Sequence, residues 1–181
     1  DLADSYLEQF KIATRAKPKG AMCSYASING VPSCANAELL KDFREAIPDA
    51  VITTDCGAVA NLYQAEGYVA NATEAVALAM ESGVDLNSEY LYGEYLGDAI
   101  AAGLTSEAAV DQALTRALNV RFEAGVFDSD DQWQHLGLSD INSTGFQANL
   151  DAALQSLVLL KNEILPLNRT TRVALLGPHC C

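Results

Sequence analysis

The chain has 181 residues, of which 50% are hydrophobic, and such a composition predicts a globular fold with a core. Its formal net charge is −13, from 24 acidic against 11 basic side chains. This charge argues against nucleic acid or an anionic membrane as a partner and favours a neutral ligand. Neither a membrane-spanning stretch of roughly 20 apolar residues nor a signal peptide is recognisable, so we expect either a cytosolic protein or one whose leader lies upstream.

The cysteines and glycosylation motifs favour the second alternative. The two histidines, His135 and His179, and the cysteines have no spacing typical of a zinc site. Asn-x-Ser/Thr motifs together with several cysteines are typical of an extracellular eukaryotic protein. The odd number of cysteines leaves at least one thiol unpaired, and the sequence does not decide whether the disulfide is Cys23–Cys34, another pair or none. The motifs begin at Asn71, Asn142 and Asn168, and the cysteines are Cys23, Cys34, Cys56, Cys180 and Cys181.

Hydrophobic patterns predict alternating helices and strands in the first half of the chain. Apolar residues spaced by three and four indicate amphipathic helices, and short apolar or β-branched runs indicate buried strands. In chain order we predict a helix over 2–15, a strand over 21–25, a turn at Asn29-Gly30, a helix over 37–46 capped by Asn36, a strand ending at Asp55, a loop over 57–67, a helix from 72 to before Gly83, and a brief strand over 84–86.

The predicted strands recur at a constant interval. They end near Tyr25, Asp55 and Asp85, which are 30 residues apart. One β-α unit of an eight-unit barrel has roughly 30 residues, and the active site of such a barrel lies at the carboxyl ends of its strands. Because three units cannot close a barrel, the sequence predicts either another topology or a part of a longer protein.

The pattern in the second half of the chain predicts a boundary between two domains. Helices are predicted over 89–102 and 106–122, the latter capped by Thr105 or Ser106. The polar, turn-rich stretch 128–145 is the best linker candidate, and a helix over 146–161 and a buried strand over 172–178 follow it. The predicted organisation is therefore a first domain over 1–127, a linker over 128–145 and the start of a second α/β domain over 146–181.

Asp55 is the most informative single residue. It follows the β-branched run Val51-Ile52-Thr53-Thr54 and precedes Cys56 and Gly57. A carboxylate at a rigid strand end is suited to nucleophilic attack on a sugar carbon, and a helix N-cap or loop-capping role is the alternative. Asp85 occupies the same position in the next unit, where pairing with loop amides or an arginine is the favoured interpretation.

Seven ordered motifs resemble glycoside hydrolase family 3, and the branch they resemble is that of the fungal and plant β-xylosidases. The motifs are Met22-Cys23-Ser24-Tyr25, Asn29 to Asn36, Thr54-Asp55-Cys56-Gly57-Ala58-Val59, Gly83-Val84-Asp85-Leu86, Gly125-Val126-Phe127-Asp128, Leu159-Leu160-Lys161-Asn162 and Leu165-Pro166-Leu167. The resemblance covers nearly the whole chain. It implies an α/β fold, namely the C-terminal portion of a TIM-type (β/α) barrel followed by the beginning of an α/β sandwich domain.

The resemblance also implies a mechanism and its residues. Asp55 matches the family nucleophile, with Thr54 in place of the usual serine, and would form a covalent glycosyl-enzyme in a retaining exo-glycosidase acting on β-linked xylosides. Met22 and Tyr25 match residues that line the sugar subsite, and Cys56 would either narrow the pocket against the hydroxymethyl group of glucose or be a buried thiol or half-cystine. No metal or organic cofactor is implied.

The resemblance places other parts of the machinery outside the chain. The sugar-gripping strands are expected before Asp1 and the acid/base glutamate beyond Cys181, so the partners expected are a carbohydrate substrate and the remainder of the polypeptide, in a secreted protein. Ala26 and Glu66 depart from the xylosidase pattern, which usually has asparagine and histidine near these positions. A β-glucosidase, a xylosidase/arabinofuranosidase and a non-catalytic or degenerate member are therefore the alternatives. Trp133 and His135 are interpreted as packing residues between domains.

Overall fold

A computed structural model describes residues 1–128, Gly137, Asp140 and 143–178. The chain divides into two compact units, Asp1–Asp130 and Asp131–Cys181. Most of the predicted linker lies outside the described residues, as do the predictions made for Trp133, His135, Asn142, His179, Cys180 and Cys181. In the described part of the chain, no helix is long and apolar enough to span a membrane.

The first unit is an α/β structure, as the sequence predicts. Its strands are β1 (Gly20–Cys23), β2 (Ser27–Ile28), β3 (Val31–Pro32) and β4 (Val51–Thr54). A π-helical turn (Leu2–Tyr6) opens the unit and a 3₁₀ turn (Ser33–Ala35) follows β3. Its α-helices are α1 (Glu8–Thr14), α2 (Ala37–Ala46), α3 (Ala58–Gln64), α4 (Ala72–Glu81), α5 (Leu91–Ala101) and α6 (Glu107–Glu123).

The strand register aligns the carboxyl ends of consecutive units. Strands β1 and β4 are parallel, with Cys23 opposite Thr54. The predicted third strand is reduced to a single parallel bridge between Thr53 and Leu86. Since a parallel connection needs a crossover of a dozen or more residues, usually helical, the helices predicted between the strands are what makes this alignment possible.

Local capping explains where several helices begin. Asn36 accepts a hydrogen bond from Leu39 N–H over 3.0 Å, which confirms the predicted cap of α2. At α6 the cap is Ser106, which accepts from Ala109 N–H over 3.2 Å, whereas Thr105 donates instead to Glu81. The sequence was compatible with either residue as the N-cap of α6, and in the structure the N-cap is Ser106.

One prediction for the first unit needs correction, and the predicted turn at Asn29-Gly30 is confirmed. The predicted loop over 57–67 contains α3, because Gly57 adopts a left-handed φ of +82° and the following residues bury Ala58, Val59 and Leu62. The Asn29-Gly30 turn is the tip of a hairpin that joins β2 and β3, with φ values of +52° and +83°. Two consecutive positive φ values are typical of the tight turn that favours Asn-Gly.

The core joins the strands to helices α3, α4 and α5. Its largest fully buried side chains include Ile52, Val59, Leu62, Val76 and Val84. A disulfide links Cys23 at the end of β1 to Cys34 in the 3₁₀ turn, which resolves the pairing that the sequence left open. This crosslink ties the hairpin segment to the strand end beside which Asp55 lies.

In the second unit α7 (Ser143–Ser156) ends five residues before the predicted end of this helix at residue 161. The predicted strand over 172–178 is wrong: its described residues are irregular, and Val173, Leu175 and Leu176 are 62%, 74% and 91% exposed. A strand needs a neighbour to satisfy its backbone groups, and none of the described residues of this unit forms one.

Asp85 is a buried ionic centre that joins three elements. Its carboxylate is only 1% exposed and pairs with Arg44 from α2 over 2.6 Å and with Arg116 from α6 over 2.7 Å. Asp85 Oδ2 also accepts a hydrogen bond from Ile52 N–H of β4 over 2.8 Å. The favoured interpretation of Asp85 as a structural carboxylate is therefore confirmed.

We expect Asp85→Asn to lower the free energy of unfolding by about 3–5 kcal/mol, since removal of one charge leaves buried guanidinium groups without a counter-ion. Urea unfolding of the chain measures the change. The control is Asp98→Asn on the exposed side of α5, which we expect to stay within about 0.5 kcal/mol. Equal effects of the two substitutions would contradict the structural role of Asp85.

Tyr92 gives the fold a predictable response to alkali. Its hydroxyl donates to Val84 O over 3.1 Å, and burial, followed by the negative charge of Asp85, raises the pKa of Tyr92. The unfolded phenol loses its proton first, near pH 10, so stability should fall as the pH rises above about 10. In Tyr92→Phe the free energy of unfolding should decrease less between pH 8 and pH 11, which urea unfolding at a series of pH values measures. The same decrease in the wild type and in Tyr92→Phe would contradict this prediction.

Candidate active site

The predicted nucleophile lies at the carboxyl end of β4. Asp55 N–H donates to Cys23 O of β1 over 2.9 Å, and Cys56 N–H donates to Asp55 Oδ1 over 2.8 Å. The half-buried carboxylate is thus oriented by a loop amide, as expected for the loop-capping role that was the alternative for Asp55. It does not cap α3, whose N-cap is Gly57.

Thr54 organises the turn around Asp55. Its side chain is fully buried, and Oγ1 accepts hydrogen bonds from Ser88 N–H over 3.0 Å and from the Asn87 amide over 3.3 Å. Ser88 Oγ in turn donates to Thr54 O. These bonds hold residues 87–89 against the end of β4, so the threonine in place of the family's usual serine keeps a hydroxyl where the segment needs one.

The structure brings Tyr25 to Asp55 and Cys56. The phenol of Tyr25 donates to Cys56 O, and its side chain is 47% exposed. Partial burial raises the pKa of Tyr25, and the negative forms of Asp55, Cys56 and Glu89 raise it further because they oppose a second negative charge. At neutral pH the residue is therefore a protonated hydrogen-bond donor beside the carboxylate.

Cys56 and Met22 have different surroundings. Cys56 is an exposed free thiol whose Sγ lies 3.8 Å from Ser88 O, so among the described cysteines it is not a half-cystine. Met22 is 57% exposed and lines a groove of about 650 Å³ between α1, β1, the hairpin and α2. Neither Asp55 nor Tyr25 lines that groove, and a role of Met22 in sugar binding stays a prediction.

The two departures from the xylosidase pattern lie near the hairpin. Ser27 Oγ donates to Glu66 Oε1 over 3.4 Å, which links the segment after α3 to β2. Ala26 contributes its carbonyl oxygen, which accepts from Ser33 N–H over 2.9 Å and from Ser33 Oγ over 2.5 Å. The backbone of Ala26 has a structural role, and the Glu66 side chain contacts β2.

Sequence reasoning missed one carboxylate of the site. Glu89 Oε1 lies 3.6 Å from the point that a Cβ of Gly57 would occupy, and Tyr25 OH lies 3.9 Å from the same point. Hydrogen bonds of residues 86–88 with β4 and Cys56 bring Glu89 there, and no spacing in the sequence predicts them. Within the described residues, no cluster of His, Cys, Asp and Glu could hold a metal ion.

Comparison with known proteins identifies relatives of the whole chain, although no family model matches it. The probable exo-1,4-β-xylosidase bxlB of Aspergillus terreus is 39% identical and covers 99% of the chain. The probable β-D-xylosidase 6 of Arabidopsis thaliana is 39% identical over 98% of the chain. The chain spans about a quarter of the length of these curated relatives, 25% and 24% respectively.

Solved structures show the same similarity. A family 3 exo-β-xylosidase, XlnD, in complex with a xylobiose aziridine activity-based probe, has a TM-score of 0.75 and 34% identity, and the match covers 93% of this chain and 23% of that one. A β-glucosidase from Listeria innocua in complex with isofagomine has a TM-score of 0.72 and 30% identity over 89% of this chain and 24% of its own. The chain is thus homologous to glycosidases, and it belongs to glycoside hydrolase family 3, on the β-xylosidase-like side.

The Thr54 network generates a test. We expect Thr54→Val to lower the free energy of unfolding by about 1–3 kcal/mol, because Ser88 N–H loses its buried acceptor. Amide hydrogen exchange should also accelerate at Ser88. Thr54→Ser keeps the hydroxyl and serves as the matched control, with protection at Ser88 retained. Loss of protection in both variants would show that the hydroxyl does not hold this segment.

Proposed function

We propose that the chain supplies the nucleophile of a retaining exo-glycosidase that acts on β-linked xylosides. The observation that carries this proposal is the fixed, half-buried Asp55 carboxylate at the end of a parallel strand, beside Tyr25. The identity of 39% to a probable exo-1,4-β-xylosidase supports the choice of sugar. A substrate of this kind is neutral, as the strongly acidic composition favours.

The proposed reaction has two displacement steps at the anomeric carbon. The Asp55 carboxylate attacks that carbon and forms a covalent glycosyl-enzyme as the leaving oxygen is protonated, and water then releases the sugar with the same configuration. Cys56 N–H fixes the rotation of the carboxylate through Oδ1, and the Tyr25 phenol can donate a hydrogen bond to a sugar or present its ring to it. Cys56 would limit the room for a hydroxymethyl group, and Met22 would contribute an apolar wall.

The remaining machinery belongs to further polypeptide in this proposal. Retaining enzymes place an acid about 5–5.5 Å from the nucleophile. We assign β1, β4 and the segment over 84–86 to the C-terminal portion of a TIM-type (β/α) barrel, and the residues from α7 onward to the start of an α/β sandwich domain. Upstream strands would bind the sugar hydroxyls, and the second domain would supply the acid/base.

A secreted glycoprotein that degrades xylan fits the same proposal. The Cys23–Cys34 disulfide is typical of an oxidising compartment, and Asn71 and Asn168 are exposed for modification. A β-glucosidase is the second candidate, supported by the TM-score of 0.72 to the Listeria innocua enzyme. Turnover of nitrophenyl xyloside, glucoside and arabinofuranoside would rank these activities in a hybrid, in which this chain replaces the matching segment of the Aspergillus terreus relative.

We expect the isolated 181-residue chain to release no nitrophenol from nitrophenyl xyloside above the buffer rate. Absence of a general acid alone typically costs about 10²–10⁴ in rate, and absence of the sugar-binding strands adds to it. Turnover by the isolated chain that is lost in Asp55→Asn would contradict the assignment of the acid/base to further polypeptide.

The nucleophile is tested by placing this chain in a complete enzyme. In a hybrid, it replaces the matching segment of the Aspergillus terreus relative, to which it is 39% identical over 99% of its length. A fluorinated xyloside should label a peptide that contains Asp55, and Asp55→Asn should abolish both labelling and turnover. Asp49→Asn, before β4, is the control and should leave both unchanged. Labelling of another residue in an active hybrid would refute the assignment.

A further inference from the structure

Glu89 has no part in the mechanism above, although it lies beside the reactive turn. Residues 87–89 are held on β4, since Ser88 N–H and the Asn87 amide both donate to Thr54 Oγ1. The Glu89 carboxylate and the Tyr25 phenol approach the same point next to Gly57, to 3.6 and 3.9 Å. A Cβ at Gly57 would be in ordinary van der Waals contact with both groups, so they lie on either side of a gap about one carbon atom wide.

The two carboxylates of this segment differ in how they are satisfied. Asp85 receives hydrogen bonds from Ile52 N–H, Arg44 and Arg116 and is saturated within the fold. Glu89 is half-buried, yet no described residue donates a hydrogen bond to it or forms an ion pair with it. An ionised carboxylate has about four acceptor positions, so those of Glu89 are open to solvent or to a ligand.

A second acceptor on the same segment is also unsatisfied. Asn87 Oδ1 is buried and has no hydrogen-bond partner among the described residues. Buried polar atoms without partners are rare in native proteins. Residues 87–89 therefore contain one buried acceptor without a partner and one half-buried carboxylate that no described residue binds.

The electrostatics of the turn point to a class of ligand. Asp55 takes part in none of the ion pairs that the described residues form, and neither does Glu89. Both carboxylates act on the Tyr25 phenol through their negative charge, and a site with two such acceptors favours a ligand that donates hydrogen bonds. A ligand that also carries a positive charge should bind more tightly still.

We propose that Glu89 is a ligand-binding residue of the Asp55 site, which accepts a hydrogen bond from a hydroxyl of the bound sugar and selects for positively charged sugar analogues. The inference rests on the proposed function, because it takes the sugar to lie beside Asp55. It adds a specificity-determining carboxylate that neither the strand pattern nor the mechanism assigns.

The first measurement tests whether the Glu89 carboxylate lies close to the Tyr25 phenol in the ligand-free protein. In the chain labelled with ¹³C at tyrosine Cζ, the signal of Tyr25 is identified by its loss in Tyr25→Phe. Its ionisation midpoint should lie above the ordinary value near 10 and should fall in Glu89→Gln. The matched control is Glu94→Gln on the exposed side of α5, which should leave the midpoint unchanged. The melting temperature of Glu89→Gln should not fall, since the substitution removes a repulsion rather than a structural contact.

The second measurement compares two ligands that differ in charge. The imino analogue of xylose, a piperidine triol, is protonated at neutral pH, and the matching anhydro analogue, a tetrahydropyran triol, is neutral. Titrated calorimetrically into the hybrid of this chain with the Aspergillus terreus relative, which supplies the sugar-binding strands, the cation should bind more tightly. Glu89→Gln should lower the affinity for the cation by about three- to tenfold and should lower the ratio of its affinity to that of the neutral analogue. Glu94→Gln should change neither the affinity nor the ratio.

Each outcome decides the proposal. Equal affinities of the hybrid and its Glu89→Gln variant for the cation, no binding of either analogue by the hybrid, or a Tyr25 midpoint that does not change in Glu89→Gln would overturn it. Failure of the proposed function has a different signature, namely an active hybrid whose turnover and labelling do not depend on Asp55. An unreactive Asp55 together with a Glu89-dependent preference for the cation would uphold Glu89 as a ligand-binding residue and refute the nucleophile.

Discussion

The parallel alignment of β1, β4 and the segment at Leu86 is the constraint on which the first unit depends. It brings the carboxyl ends of these segments to one edge, where Cys23 O accepts from Asp55 N–H and Thr54 binds residues 87 and 88. Asp85 maintains the alignment from within, because a buried carboxylate shared by two arginines and a strand amide tolerates little displacement. Asp55, Tyr25 and Glu89 have their positions because that edge exists.

The segment over 84–89 shows how one stretch of chain separates stability from function. Asp85 uses its full acceptor capacity inside the fold and leaves nothing for a ligand. Four residues later Glu89 keeps its capacity free and faces the reactive turn. Glu89 is thus available to a ligand, as is typical of groups that act on ligands, whereas the buried ionic centre of Asp85 keeps the strands in register.

The candidate site was only partly predictable from the sequence. Asp55 and Tyr25 are predictable because each stands at the end of a β-branched or apolar run, and because the motifs around them resemble a known family. Glu89 was missed, since its place depends on hydrogen bonds between residues more than 30 positions apart along the chain. Met22 belongs to the same motif as Tyr25, yet Met22 lies within β1 and lines the groove beside α1, whereas Tyr25 follows the end of β1 and its phenol binds Cys56 O.

The sequence by itself determined the α/β class, the order of most helices and strands, the cap of α2, and the family. These features depend on local propensity, hydrophobic period and motif spacing, all of which are properties of short stretches. Only the tertiary structure decided the Cys23–Cys34 pairing, the helix hidden after Gly57, the saturation of Asp85 and the approach of Glu89 to Tyr25. Each of these requires segments distant in the chain to meet in space, and where no such partner is described, as at residues 172–176, the predicted strand does not form.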